Sequence, residues 1–149
     1  MMDEIKKLRE KTGAGVMDAK RALDEANGNM SEAEKIIRAS GIAKADKKAE
    51  RSTGSGRVYC YSHQTGKVAV MVEVACETDF VANTTEFSEL CKEIAMQIAS
   101  MEPKDVDELM NQDYIRDSSQ KIGDLVKAFV GKTGENTKIV RFVRYELGE

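Results

Sequence analysis

Apolar residues at spacings of three and four predict a helix from about Thr84 to Ser100, with Phe87, Leu90, Cys91, Ile94, Ala95 and Ile98 on one face. The period just before it is two. Val58, Cys60 and Ser62 alternate with Arg57, Tyr59, Tyr61 and His63, and an apolar run from Val68 to Cys76 follows the turn-like Gln64-Thr65-Gly66-Lys67. That pattern predicts an antiparallel hairpin with the long helix packed across it. Between strand and helix stands Thr78-Asp79-Phe80-Val81-Ala82, with Thr78 as an N-cap. A phenylalanine at such a corner reads as core, or as an anchor presented to a partner. Periodicity leaves both open.

Residues 1–39 predict three short helices. Ile5 and Leu8 keep helical spacing until Thr12-Gly13-Ala14-Gly15; Val16, Ala19, Ala22, Leu23 and Ala26 form a second stripe, stopped by Asn27-Gly28. Asn29 and Glu32 have the spacing of a capping box for a third, which Gly41 is expected to close. About forty residues bury little, so this module should lean on something else. Lys44, Lys47, Lys48 and Arg51 form a basic run, read chiefly as a solvated helix face, and Ser52-Thr53-Gly54-Ser55-Gly56 reads as a flexible joint. We therefore expect a three-helix module at 1–42, a basic helix and Gly/Ser linker at 43–56, and an α+β unit at 57–149.

The α+β unit continues past Pro103 with a short helix at Val106–Met110 and a loop with an extended patch at Tyr114-Ile115. An amphipathic helix carrying Ile122, Leu125, Val126 and Phe129 comes next, ended by Gly131 and Gly134, and a last strand spans Lys138 to Leu147. Together these predict a three-stranded antiparallel sheet with helices on one face. The other face is left uncovered, which invites a partner.

Composition narrows the function. A formal charge of −3 disfavours bulk nucleic-acid binding, and no apolar run reaches transmembrane length. The amphipathic, acid-containing start is unlike a secretory leader. Cys60, Cys76 and Cys91, with no Cys-x-x-Cys pair, suit reduced thiols in a cytoplasmic protein; a single histidine, His63, argues against structural zinc. Gly131-Lys132-Thr133 lacks the glycine a phosphate loop needs five residues earlier, where Val126 stands, and reads as a helix stop. The three cysteines fall where small buried thiols are common, and the carboxylates show no cleft. We expect no chemistry of bond making and no cofactor.

Leu8-Arg9-Glu10-Lys11-Thr12-Gly13-Ala14-Gly15-Val16-Met17-Asp18-Ala19-Lys20-Arg21-Ala22-Leu23 resembles the N-terminal signature of the translation elongation factor Ts family. Glu73 to Asn83, centred on Thr78-Asp79-Phe80-Val81-Ala82, is similar to the family's second signature, and Gly134-Glu135-Asn136 through Gly148 to its C-terminal strand. Ala75 departs from the usual Asn. The family's helical extension would fall between Met110 and Asp113, where this chain has no room for it. The resemblance implies guanine-nucleotide exchange on elongation factor Tu. A three-helix module similar to ubiquitin-associated domains would dock through Arg9, Val16 and Met17, with Lys48 nearby. Thr78, Asp79, Phe80 and Val81 would wedge beside the nucleotide site, displacing Mg²⁺ and disturbing the phosphate loop. By likeness to short members, the chain is expected to form a homodimer through its open sheet. Two rivals from other classes stand beside this reading. One is an adaptor of ubiquitin-associated type without exchange activity; the other is a nucleic-acid binder using Lys44 to Arg51 with Tyr59 and Tyr61.

Overall fold

In the computed structural model, which describes residues 1–63 and 65–149, three helices come first: α1 (Met2–Thr12), α2 (Val16–Glu25) and α3 (Met30–Lys48). The strands β1 (Ser55–Ser62) and β2 (Val68–Cys76) follow, then α4 (Asp79–Ala82) and α5 (Thr85–Met101). The chain ends with α6 (Val106–Asn111), the hairpin β3 (Asp113–Tyr114) and β4 (Asp117–Lys121), α7 (Ile122–Thr133) and β5 (Lys138–Glu146). Gln64, in the predicted turn, lies outside the described residues.

Local signals set the first three helices. Gly13 takes a left-handed φ of 71° and its N–H donates to Arg9 O at 2.7 Å, closing α1. Asn29 caps α3 by accepting from Glu32 N at 3.1 Å. Leu8, Ala19, Leu23 and Ala33 are buried together in a small core of their own. Two glycines, however, do not act as the sequence suggests. α3 runs through Gly41 to Lys48, and α7 runs through Gly131 to be closed by Gly134, whose φ is 78°. Both lie where α3 crosses α7, and a Cβ on Gly131 would stand 2.5 Å from Gly41 Cα. Close helix approach outweighs the ~1 kcal/mol that glycine costs inside a helix.

The sheet order is β1-β2-β5, all antiparallel, so the most apolar strand is central. Val70, Val72, Val74 and Cys76 point inward with the half-buried Tyr59 and Tyr61, against Phe87, Leu90, Ile94 and Ile98 of α5. Phe87 meets Phe129 of α7 with ring centroids 5.9 Å apart. Val58, Cys60, Met71 and Tyr145 lie on the opposite face and are exposed. The architecture is α+β, a three-helix start followed by a three-stranded antiparallel sheet with helices.

One connection differs from the sequence reading. Residues 113–121 form a hairpin rather than a loop, and buried Gln97 holds it. Its amide donates to Gln112 Oε1 and Asp113 O and accepts from Ile115 N. Just ahead of the glycine- and serine-bearing joint, Asn136 Nδ2 donates to Ala49 O at 3.2 Å and Arg51 O at 2.7 Å. Among the described residues no helix is long and apolar enough to cross a membrane.

Candidate functional site

The corner at the end of β2 is built by two threonine caps six residues apart. Thr78 Oγ1 accepts from Val81 N at 3.3 Å and opens α4; Thr84 Oγ1 accepts from Phe87 N at 3.2 Å and opens α5. Thr84 Oγ1 also donates to Val81 O at 2.7 Å, so the two caps lock the single turn between them. One side of that turn is core, with Val81 and Ala82 buried. The other side is solvent. Phe80 is 83% exposed there, beside exposed Asp79 and Thr78.

Of the four corner residues, Thr78, Asp79 and Phe80 stand on the surface. Val81 does not: packed into the main core, it anchors the corner from below. Asp79 occupies the first turn of α4, where a carboxylate meets unpaired backbone N–H groups. Burying a phenylalanine is worth about 1.5–3 kcal/mol, so Phe80 carries an unused driving force for association.

The corner is held from outside by the segment Gly134-Glu135-Asn136, which the resemblance marks as the start of the C-terminal stretch without linking it to the corner. Glu135 accepts from Thr78 N at 2.9 Å and from Thr78 Oγ1 at 2.7 Å. Asn136 N donates to Glu77 Oε2 at 2.6 Å, and Arg51 stands 3.7 Å from the same oxygen. These partners are nearly sixty residues apart, beyond any local pattern. The chain signals these residues only by their position directly after the α7 stop and by their likeness to the family's C-terminal stretch, neither of which points to Thr78.

The second predicted group divides. Val16 and Met17, 46% and 73% exposed, project at the start of α2, and Arg9 Nε donates to Ala14 O at 3.2 Å, bracing the turn that presents them. Lys48 is elsewhere. It ends α3, its Nζ about as far as 4.0 Å from a Cβ position on Gly134, close to the segment that grips the corner.

Other candidates fold into structural roles. Lys44 pairs with Asp18 at 3.3 Å, as a solvated helix face would. Tyr59 and Tyr61 are half-buried and pack against the main core. Burial pushes the Cys91 thiol up to about 12 and raises Cys76, which keeps both protonated and poor nucleophiles. Cys60, expected to be buried, faces solvent because β1 turns its even-numbered residues to the uncovered side. His63 Nδ1 lies 3.0 Å from Tyr61 Oη. Among the described residues, Glu102, Glu146 and Glu149 have the spacing of metal ligands, but they surround the Arg144 guanidinium, which already supplies the cation.

The chain matches the family model described as elongation factor TS over residues 3–108 and 77–149. It is 41% identical to elongation factor Ts of Thermotoga maritima over 191 aligned positions, covering 99% of this chain and 96% of that protein. To elongation factor Ts of Thermoanaerobacter pseudethanolicus it is 42% identical, covering 97% and 93%; to that of Rubrobacter xylanophilus it is 39% identical, covering 98% of each. An alignment of 191 positions on 149 residues leaves at least 42 positions (191 less 149) without a residue of this chain. On this likeness, which spans its whole length, the chain belongs to the elongation factor Ts family, a family of translation elongation factors.

Proposed function

We propose that this chain promotes GDP release from elongation factor Tu in the cytoplasm, acting as a guanine-nucleotide exchange factor that makes and breaks no covalent bond itself. The observation that carries this reading is Phe80, 83% exposed on a turn whose opposite face is core. A large apolar side chain on a capped, braced support is suited to entering a pocket of a partner without reordering its own backbone. Asp79 beside it supplies polar contacts at the rim.

Magnitudes define what the corner must do. A thousandfold faster release requires about 4 kcal/mol of differential stabilisation. Burying Phe80 supplies roughly 1.5–3 kcal/mol, so the wedge needs a second contribution. Displacing the partner's Mg²⁺ and disturbing its phosphate loop is the large one available, because the metal offsets the phosphate charge. Coupling is reciprocal: a factor that weakens nucleotide binding is itself bound less tightly when nucleotide returns, and so it leaves.

In this reading residues 1–42 form the docking module, with Val16 and Met17 as contacts and Arg9 shaping the turn. Residues 43–56 join it to the unit at 57–149, which carries the corner. Lys48 contributes from the corner side rather than from the docking turn. The uncovered sheet face pairs with a second copy of the chain.

The test is stopped-flow release of fluorescent GDP from elongation factor Tu as this protein is titrated in. Exchange activity predicts a release rate that rises with concentration and saturates. A complex that forms while the release rate stays at its basal value would instead establish the adaptor reading.

A further inference from the structure

We propose that Glu135 is a positioning residue for the exchange corner, gripping Thr78 so that Phe80 is held in the direction from which it enters the partner. The proposal rests on the exchange reading above and adds a residue that reading does not use.

A helix of one turn has no cooperativity of its own, so the conformation of α4 has to be imposed by its surroundings. Thr78 is where that happens. Its hydroxyl accepts from Val81 N, which requires its proton to point elsewhere. Glu135 Oε2 takes that proton at 2.7 Å, while Oε1 takes the Thr78 N–H at 2.9 Å. Both carboxylate oxygens are thus spent on one residue, and the hydroxyl is left with a lone pair facing Val81 N. Remove the carboxylate and the hydroxyl can rotate, freeing the turn that carries Phe80.

The grip needs a fixed base, and the structure provides one. Glu135 is half-buried and follows Gly134, whose left-handed φ turns the chain out of α7. Its neighbour Asn136 donates its N–H to Glu77 at 2.6 Å, so each segment offers an acid to a backbone N–H of the other. Asn136 also donates through its side chain to Ala49 O and Arg51 O. The corner, the end of α7 and the α3–β1 connection are therefore stitched at one place. Charge-assisted hydrogen bonds of this kind are the stronger class, and pre-organising a contact group lowers the ordering cost of using it.

The experiment uses the full chain with Glu135→Ala, Glu135→Gln and Phe80→Ala, measuring GDP release from elongation factor Tu and amide hydrogen exchange of the free protein. Glu135→Ala is expected to lower the maximal release rate about fivefold while the half-saturating concentration stays within about twofold. Glu135→Gln, which keeps one acceptor oxygen, should fall between it and the wild type. Exchange at the Thr78 and Val81 amides should accelerate in Glu135→Ala while the Val72 amide keeps its protection. A wild-type maximal rate in Glu135→Ala, with Phe80→Ala slow, overturns the positioning role and leaves the exchange reading standing. Unchanged protection at Thr78 and Val81 also overturns it. If Phe80→Ala too stimulates GDP release at the wild-type rate, the corner is not the exchange element and the positioning role falls with it; a wild-type protein that leaves release at its basal rate is the separate result that ends the exchange reading.

Discussion

Gly131 of α7 lies against the backbone of Gly41 in α3: a Cβ on Gly131 would stand 2.5 Å from Gly41 Cα and 2.8 Å from Gly41 O. The relation is not symmetrical, since a Cβ on Gly41 would meet Gly131 Cα at an ordinary 3.8 Å. Gly131→Ala must therefore push the helices apart, costing roughly 1–3 kcal/mol of overpacking. Gly41→Ala should be neutral or stabilise by up to ~1 kcal/mol through helix propensity. Urea unfolding of the two variants distinguishes them. Equal midpoints would mean that the crossing does not depend on the missing side chain at 131.

Alkaline stability follows from two buried acids of weak strength. Burial pushes Cys91 from 9.0 up to about 12, and burial with the neighbouring Glu93 carboxylate pushes Tyr114 from 10.0 up to about 12. Both folded values exceed the unfolded ones, so each contribution is fully present below the unfolded value and is lost as pH rises toward the folded one. The denaturation midpoint should fall between about pH 9 and about pH 12, and Cys91→Ala should flatten the early part of that fall. An identical slope in Cys91→Ala would contradict the assignment.

The uncovered sheet face carries Val58, Met71 and Tyr145, which are 55%, 46% and 74% exposed. Pairing through this face predicts a dimer mass for the wild type in analytical ultracentrifugation at micromolar concentration. Met71→Asp places a charge at the centre of the strand β2 and should give a folded monomer. A monomeric wild type would remove the homodimer from the scheme.

What the chain revealed in advance was whatever is decided locally. The stripe from Phe87 to Ile98 and the alternation from Arg57 to Tyr61 produce the helix and the strand they predict, because side-chain period follows backbone geometry. The caps at Asn29 and Thr78 do the same for helix starts. Gly41 and Gly131 lie inside helices rather than ending them; a glycine at a helix stop and a glycine at a helix crossing look alike until the second helix is placed. Gln97, wholly buried, interrupts an apolar stripe for a reason found only in residues 112–115. The role of Glu135 at the corner is equally hidden, since its partner Thr78 lies 57 residues away. For Phe80 the balance of core against anchor turned on its neighbours: Val81 and Ala82 take the inward side of a single turn, and Phe80 is left outside.

The role given to Phe80 is open to one decisive comparison: GDP release from elongation factor Tu, followed by stopped flow with saturating wild-type protein and with saturating Phe80→Ala. Because Phe80 is 83% exposed, the substitution should leave thermal unfolding unchanged. The stimulated rate should fall by about tenfold or more, the equivalent of roughly 1.4 kcal/mol of lost stabilisation. A Phe80→Ala protein that is folded and drives release as fast as the wild type would show that the exposed corner is not what opens the nucleotide site.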